Sequence, residues 1–370
     1  MGCYANNAYP DSPNLELLWN IYNEFCSFVN TQLYKNELYF AGPCILINIF
    51  HFIVLTRSSI RNSTVYIIMA AIALVDICSS LYVIQLETVE IFKSFSVCYS
   101  STTYYKLISV DVFLEGVRTV TRRCSTWLSF SITLIRTLAI RFAMNPKFEI
   151  LSKRKTAFFL ISLVFIVFVP IQIFGPYRLE APIGNYTCKP NVTRSTFTFF
   201  WYTRTEFYMP RQEFLAMTHK VVEGLLSRIL PCILVPIATV FLIREIKKAE
   251  IQRKKMASSS NMKSSKNTSK LVLALTLTFF VAELPLGIVY VLKPSNYTVN
   301  DKTMGFTDII VLQTFEEFFS VLLTITTATH MIICVFMSSQ YRETSLSVVR
   351  CGYVPKPRWK DNLVVVASKT

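Results

Sequence analysis

The chain has 370 residues, 52% of them hydrophobic, 14% aromatic and only 16% charged, a balance that excludes a disordered or low-complexity polypeptide. Its formal net charge of +15 raises nucleic acid as a partner. The basic residues, however, fall between apolar stretches rather than on a soluble face, which excludes a nucleic-acid binder and fits the positive-inside bias of membrane loops.

Residues Met1 to Asn6 show neither a charged n-region nor an apolar h-region, so no cleavable signal peptide is expected and the first span serves as its own insertion signal. Asn6 stands where a myristoylation site wants Ser or Thr. Seven apolar stretches follow, each near or above the ~20 residues a helix needs to cross ~30 Å of hydrocarbon. Spans are predicted near 38–56, 63–86, 109–141, 156–176, 221–248, 270–293 and 309–337. The expected fold is therefore an all-α membrane protein, a seven-transmembrane helix bundle. Residues 1–37 form an extracellular segment, 38–337 the bundle, and 338–370 a cytoplasmic amphipathic helix and tail. Arg57 and Arg61 in loop one, Lys147, Lys153, Arg154 and Lys155 in loop three, and nine basic residues from Arg244 to Lys270 in loop five place the odd-numbered loops inside and the N-terminus outside. Sequons at Asn185, Asn191 and Asn296 all fall in loops that this rule puts outside, where N-glycosylation occurs.

Cys44, Cys78, Cys124, Cys232 and Cys334 lie in apolar spans and read as small packing residues. Cys98 and Cys188 occupy the first two extracellular loops and are expected to bridge; Cys3 and Cys26 are alternative partners for each other or for either loop. Cys351, after the last amphipathic segment, is a palmitoylation candidate.

Polar groups inside the spans mark function, because a charge at bilayer depth costs roughly 2.5 to 3.5 kcal/mol on insertion scales. Asn48 and Asp76 are expected to form an interhelical polar core. On span three, Arg122 precedes Arg136 by 14 residues and Arg118 precedes it by 18, which puts them ~21 and ~27 Å toward the outer face. Glu316 and Glu317 precede His330 by 14 and 13 residues and reach a similar depth, with one of the two facing inward. Arg118, Arg122, Glu283, Glu316 and Glu317 are the ligand-binding candidates. Arg123 is expected to be structural, and Phe315, Phe318 and Phe319 to pack or face lipid. Glu283 stands two residues before Pro285, whose missing donor permits a kink, and a bridge from Glu283 to Arg122 or Arg123 is one expectation.

The phrases Arg122-Arg123-Cys124-Ser125-Thr126-Trp127-Leu128, Ile135-Arg136-Thr137-Leu138, Leu151-Ser152-Lys153, Leu230-Pro231-Cys232-Ile233, Ala282-Glu283-Leu284-Pro285-Leu286-Gly287-Ile288 and Met337-Ser338-Ser339-Gln340-Tyr341-Arg342 occur in this order. Together they resemble the nematode serpentine receptors of class w, rhodopsin-like G-protein-coupled receptors related to FMRFamide-type peptide receptors, over residues 36 to 352. The resemblance implies a plasma-membrane receptor of sensory or neural cells that couples an extracellular peptide or small molecule to a heterotrimeric G protein, with no enzyme activity and no cofactor. Arg136 then meets the transducer, Pro285, Thr326 and His330 take part in switching, and Asp76 is a candidate sodium ligand; no other metal is implied. Thr326-Thr327-Ala328-Thr329-His330 departs from the family's Asn-Thr-x-x-His box by losing the asparagine. A ligand-gated channel or transporter is the alternative, but no internal repeat, glycine-rich filter or broken helix pair supports it.

Overall fold

The computed structural model describes residues 13–60, 63–94, 101–142, 148, 150–151, 153–173, 177–180, 186–187, 196–197, 201–204, 212–256, 280–292 and 306–350. Helices α1 (Pro13–Phe28), α2 (Glu37–Leu55), α3 (Thr64–Ser94), α4 (Ser101–Arg141) and α5 (Arg154–Ile173) follow in order. Between α5 and the next helix, β1 (Tyr177–Glu180) pairs antiparallel with β4 (Trp201–Arg204), and β2 (Tyr186–Thr187) with β3 (Thr196–Phe197) nests inside that pairing. Then come α6 (Gln212–Gly224), a π-helical turn at Leu225–Ile229, α7 (Leu230–Met256), α8 (Phe280–Leu292), α9 (Phe306–Thr326), α10 (Thr329–Met337) and α11 (Ser339–Val349). Span five runs through α6 and α7, and span seven through α9 and α10.

Among the described residues, five helical stretches are long and apolar enough to cross a bilayer unaided, and Phe280–Leu292 adds a shorter apolar helix. The remaining span, α4, misses that criterion because Asp111, Glu115, Arg118, Arg122, Arg123 and Arg136 lie along it. It packs against α3, α5 and α7, so its charges face protein as well as lipid. The result is a seven-transmembrane helix bundle. Its core runs through Ile68, Ile72, Cys124, Leu128, Ile135 and Phe168, while Leu46, Phe113, Phe159, Ile166 and Phe336 remain exposed as the apolar coat that lipid covers.

One feature lies outside the seven-span expectation. Residues 13–34, expected only as an extracellular segment, are helical throughout: α1 runs into a π-helical turn at Val29–Tyr34 that packs on α9. Tyr22 and Thr314 hydroxyls lie 3.0 Å apart, and Phe25 meets Phe315 and Phe318, each at 5.3 Å between ring centroids. Burial pushes the Tyr22 hydroxyl above its ordinary pKa, the Thr314 hydrogen bond opposing. Cys26 on α1 is disulfide-bonded, and Cys44, Cys78, Cys124, Cys232 and Cys334 are free. Cys98, Cys188, Cys351 and the sequon residues Asn185, Asn191 and Asn296 lie outside the described residues.

At the other end, α11 is held against span one. Ser338 caps it, its hydroxyl accepting from the Tyr341 backbone N–H at 3.0 Å. The buried Tyr341 hydroxyl lies 2.7 Å from His51 Nδ1, and Gln340 donates to the Ser59 carbonyl at 2.8 Å. Tyr341→Phe leaves His51 without that partner and is expected to destabilise the protein by about 1 kcal/mol, read as an earlier thermal midpoint in detergent. An unchanged midpoint would show that the hydrogen bond adds nothing net.

Candidate functional site

The outer half of α4 carries a stripe at four-residue spacing, Arg118, Arg122 and Thr126, which helical geometry places on one face. Arg118 donates to Glu37 Oε1 at 2.7 Å and to Ser320 Oγ at 3.1 Å, and its guanidinium sits over the Tyr82 ring. One turn deeper, Arg122 donates to Ser320 Oγ at 2.8 Å, the Ser320 carbonyl at 3.3 Å and Thr324 Oγ1 at 2.7 Å. Deeper again, Thr126 donates to Glu283 Oε1 at 3.0 Å. Arg123 projects from the adjacent stripe and pairs with Glu223 on α6, which His219 also approaches.

Arg118 reaches Glu37 at the head of span one, and Glu283 accepts from a threonine, so the expected bridge from Glu283 to Arg122 or Arg123 is not formed. Glu316 lines the same cavity as the arginines, while Glu317 accepts from Gln313 at 3.1 Å, one turn earlier on its own helix. Phe315, Phe318 and Phe319 stack among themselves and on α1.

These groups enclose a cavity of about 170 Å³, faced by Arg118, Arg122, Arg123, Ser227, Arg228, Glu283 and Glu316. A smaller one of about 40 Å³ adjoins it and shares Arg122, Thr126 and Glu283. Asp76, Ser125, Ser129, Thr326 and His330 line the smaller space. Arg122 thus lines the same small space as Asp76. Asn48 does not bond Asp76; it donates to Thr327 Oγ1 at 3.3 Å. Span seven breaks at this level, with α9 ending at Thr326 and α10 starting at Thr329. The hydroxyls of Thr326, Thr327 and Thr329 each donate to the carbonyl three residues earlier, which competes with helical bonding.

Span five reaches the cavity through its π-helical turn, a wide turn in which the Leu230 N–H donates to the carbonyl five residues earlier, at Leu225. The next donor in that pattern falls on Pro231, which has no N–H, and Trp127 Nε1 instead donates to the Leu226 carbonyl at 3.2 Å. The turn brings both Ser227 and Arg228 to the cavity wall, and Arg228 also lies over the Tyr290 ring at 5.1 Å. Two glycines bring span six close here. A Cβ on Gly224 would stand 2.7 Å from Val291 Cγ2, and one on Gly287 would stand 3.0 Å from Arg228 Cβ.

Sequence reasoning alone does not single out Glu37, Glu223, Ser227, Arg228, Ser320 or Thr324. Glu223 and Arg228 carry a usable signal, since each is a charge within the predicted span 221–248. At the cytoplasmic end of α4, Arg136 has no ion-pair partner among the described residues; it lies beside Tyr66 and Cys334. Its neighbour Ile135 is buried.

A family model described as serpentine type 7TM GPCR chemoreceptor Srw matches residues 35–352. No curated protein matches the chain.

Proposed function

The chain belongs to the Srw family of serpentine seven-helix chemoreceptors, G-protein-coupled-receptor-type membrane proteins, and from that premise we propose that it converts an extracellular cue, a peptide or small molecule, into heterotrimeric G-protein activation at the plasma membrane of a sensory or neural cell. The observation that carries this reading is the charged cavity in the outer half of the bundle, joined to the small polar chamber around Asp76, Thr326 and His330. Ligand pockets in helical bundles are lined by side chains from facing helices, and this one draws on spans two, three, five, six and seven. A ligand seated against Arg118 and Glu316 contacts spans three and seven together and shifts the balance between arrangements of the bundle only by its unequal affinity for them. Arg136, at the opposite end of span three, is the residue offered to the transducer. Basic residues at the end of α7, Arg244, Lys247 and Lys248, extend that surface.

The test combines orientation with coupling. An N-terminal tag should stain in intact cells and a C-terminal tag only after permeabilisation. Membranes holding the receptor and a promiscuous heterotrimer should exchange nucleotide in response to amidated neuropeptides or environmental extracts. Reversed staining, or exchange indifferent to every cue while the receptor is at the surface, would sink this reading.

A further inference from the structure

Hydrogen-bonding capacity around the larger cavity is unbalanced. Ser227 is 2% exposed and its hydroxyl has no partner, although it faces the cavity. Arg123 is 4% exposed; Glu223 takes one of its terminal nitrogens, and its Nε and Nη1 have no acceptor. Arg122 donates only to neutral oxygens, those of Ser320 and Thr324. Among the described residues Arg228 has no hydrogen-bond acceptor, only the face of Tyr290 and the longer-range attraction of Glu283. The carboxylates on the wall do not make up the deficit. Glu283 already accepts from Thr126, and Glu115 and Glu316 have interactions of their own. On the side built by spans three and five, the cavity is therefore rich in donors and short of acceptors. Buried donors left without acceptors are costly, so such an arrangement favours a ligand that brings the missing oxygens.

Taking the ligand-pocket reading above as given, we propose that this cavity receives the carboxylate group of an organic acid, held between Arg122, Arg228 and Ser227. A carboxylate offers two oxygens with about four lone-pair sites, and the planar guanidinium fork matches it in a bidentate fashion. A neutral amide of the same shape offers one acceptor and brings two further donors into a space already crowded with them. Size sets the second limit. About 170 Å³ falls below the ~300 to 1,000 Å³ of sites that enclose drug-sized molecules. The site therefore takes a small acid entire, or the acidic end of a longer ligand whose remainder lies toward the extracellular face. Arg118 and Arg123 do not hold the carboxylate itself, because Glu37 and Glu223 already pair with them, and Arg118 is left to contact the rest of a longer ligand.

The full-length receptor in nanodiscs is the object to test, by thermal unfolding with acetate, butyrate, hexanoate, benzoate and phenylacetate, each beside its primary amide at matched ionic strength. At least one acid should raise the midpoint saturably while its amide does not. Arg228→Gln should weaken the apparent affinity for that acid about 30-fold and Ser227→Ala about 15-fold, the losses expected for hydrogen bonds to a charged group. Should Arg228→Gln fail to reach the membrane, Ser227→Ala, which removes only an unpartnered hydroxyl, carries the test alone. Absence of a saturable acid response, an equal response to the amides, or unchanged affinity in the variants that fold would overturn the proposal. Nucleotide exchange measured in parallel separates the two readings. Cue-driven exchange without any acid binding removes the carboxylate site and keeps the receptor, whereas acid binding with no exchange under any cue keeps the site and removes the receptor function.

Discussion

Glu223→Ala is expected to strip most of the receptor from the cell surface. The pair it breaks is buried, Arg123 at 4% and Glu223 at 5% exposure, and removing one partner strands a guanidinium inside the bundle. Breaking a pair of that kind costs roughly 3 to 5 kcal/mol, enough to unfold a marginally stable protein. His219, 3.7 Å from Glu223, is too weak a neighbour to take over. Replacing both members with apolar side chains of similar length, as in Arg123→Met with Glu223→Met, removes both charges together, and such exchanges are often neutral. Surface staining and thermal inactivation in detergent should therefore show a severe single variant and a substantially restored double variant. If Glu223→Ala keeps normal surface level and heat resistance, the pair has no structural role.

Arg136→Ala is expected to behave in the opposite way, reaching the membrane and failing to signal. Without an ion-pair partner among the described residues, Arg136 contributes little that truncation would strand, so the stability change should stay within about 1 kcal/mol. Nucleotide exchange should fall at least tenfold at equal surface level, because the proposed function assigns the transducer contact to this residue at the cytoplasmic mouth of span three. Normal exchange by this variant would move the coupling surface to the basic end of α7.

The membrane spans are legible because hydropathy is a local property of the chain. Even α4 reads as a span, although its charges defeat a simple hydropathy threshold. Ion-pair partners are not legible, for a physical reason: helical spacing fixes which residues share a face but not which helix that face meets. Arg118 is visible as an intramembrane charge, but its partner Glu37 lies in a segment whose net charge marks it only as extracellular. The helical course of residues 13–34 is hidden in the same way, since net charge says nothing of the period that sets Phe25 against Phe315 and Phe318. The wide turn in span five is equally hidden. Pro231 announces a missing donor, but not that the carbonyl it leaves open is Leu226 or that Trp127 fills it. Glu316 and Glu317 are the converse case: adjacent residues on a helix diverge by about 100°, and only Glu316 lines the cavity.

Were span five to tilt against span six, the two glycine contacts between them would serve as the fulcrum of an unequal lever. Gly224 and Gly287 let side chains of the facing helix, Val291 Cγ2 and Arg228 Cβ, approach the backbone closely at the depth of the cavity. From there α7 continues for 27 residues, ~40 Å of helix with Pro236 inside it, to Met256. A tilt of ~10° about such a contact changes the cavity wall by little more than an ångström, yet it swings the far end of that helix through ~7 Å. The mechanical advantage lies in the placement of two hydrogen atoms where side chains would otherwise hold the helices apart.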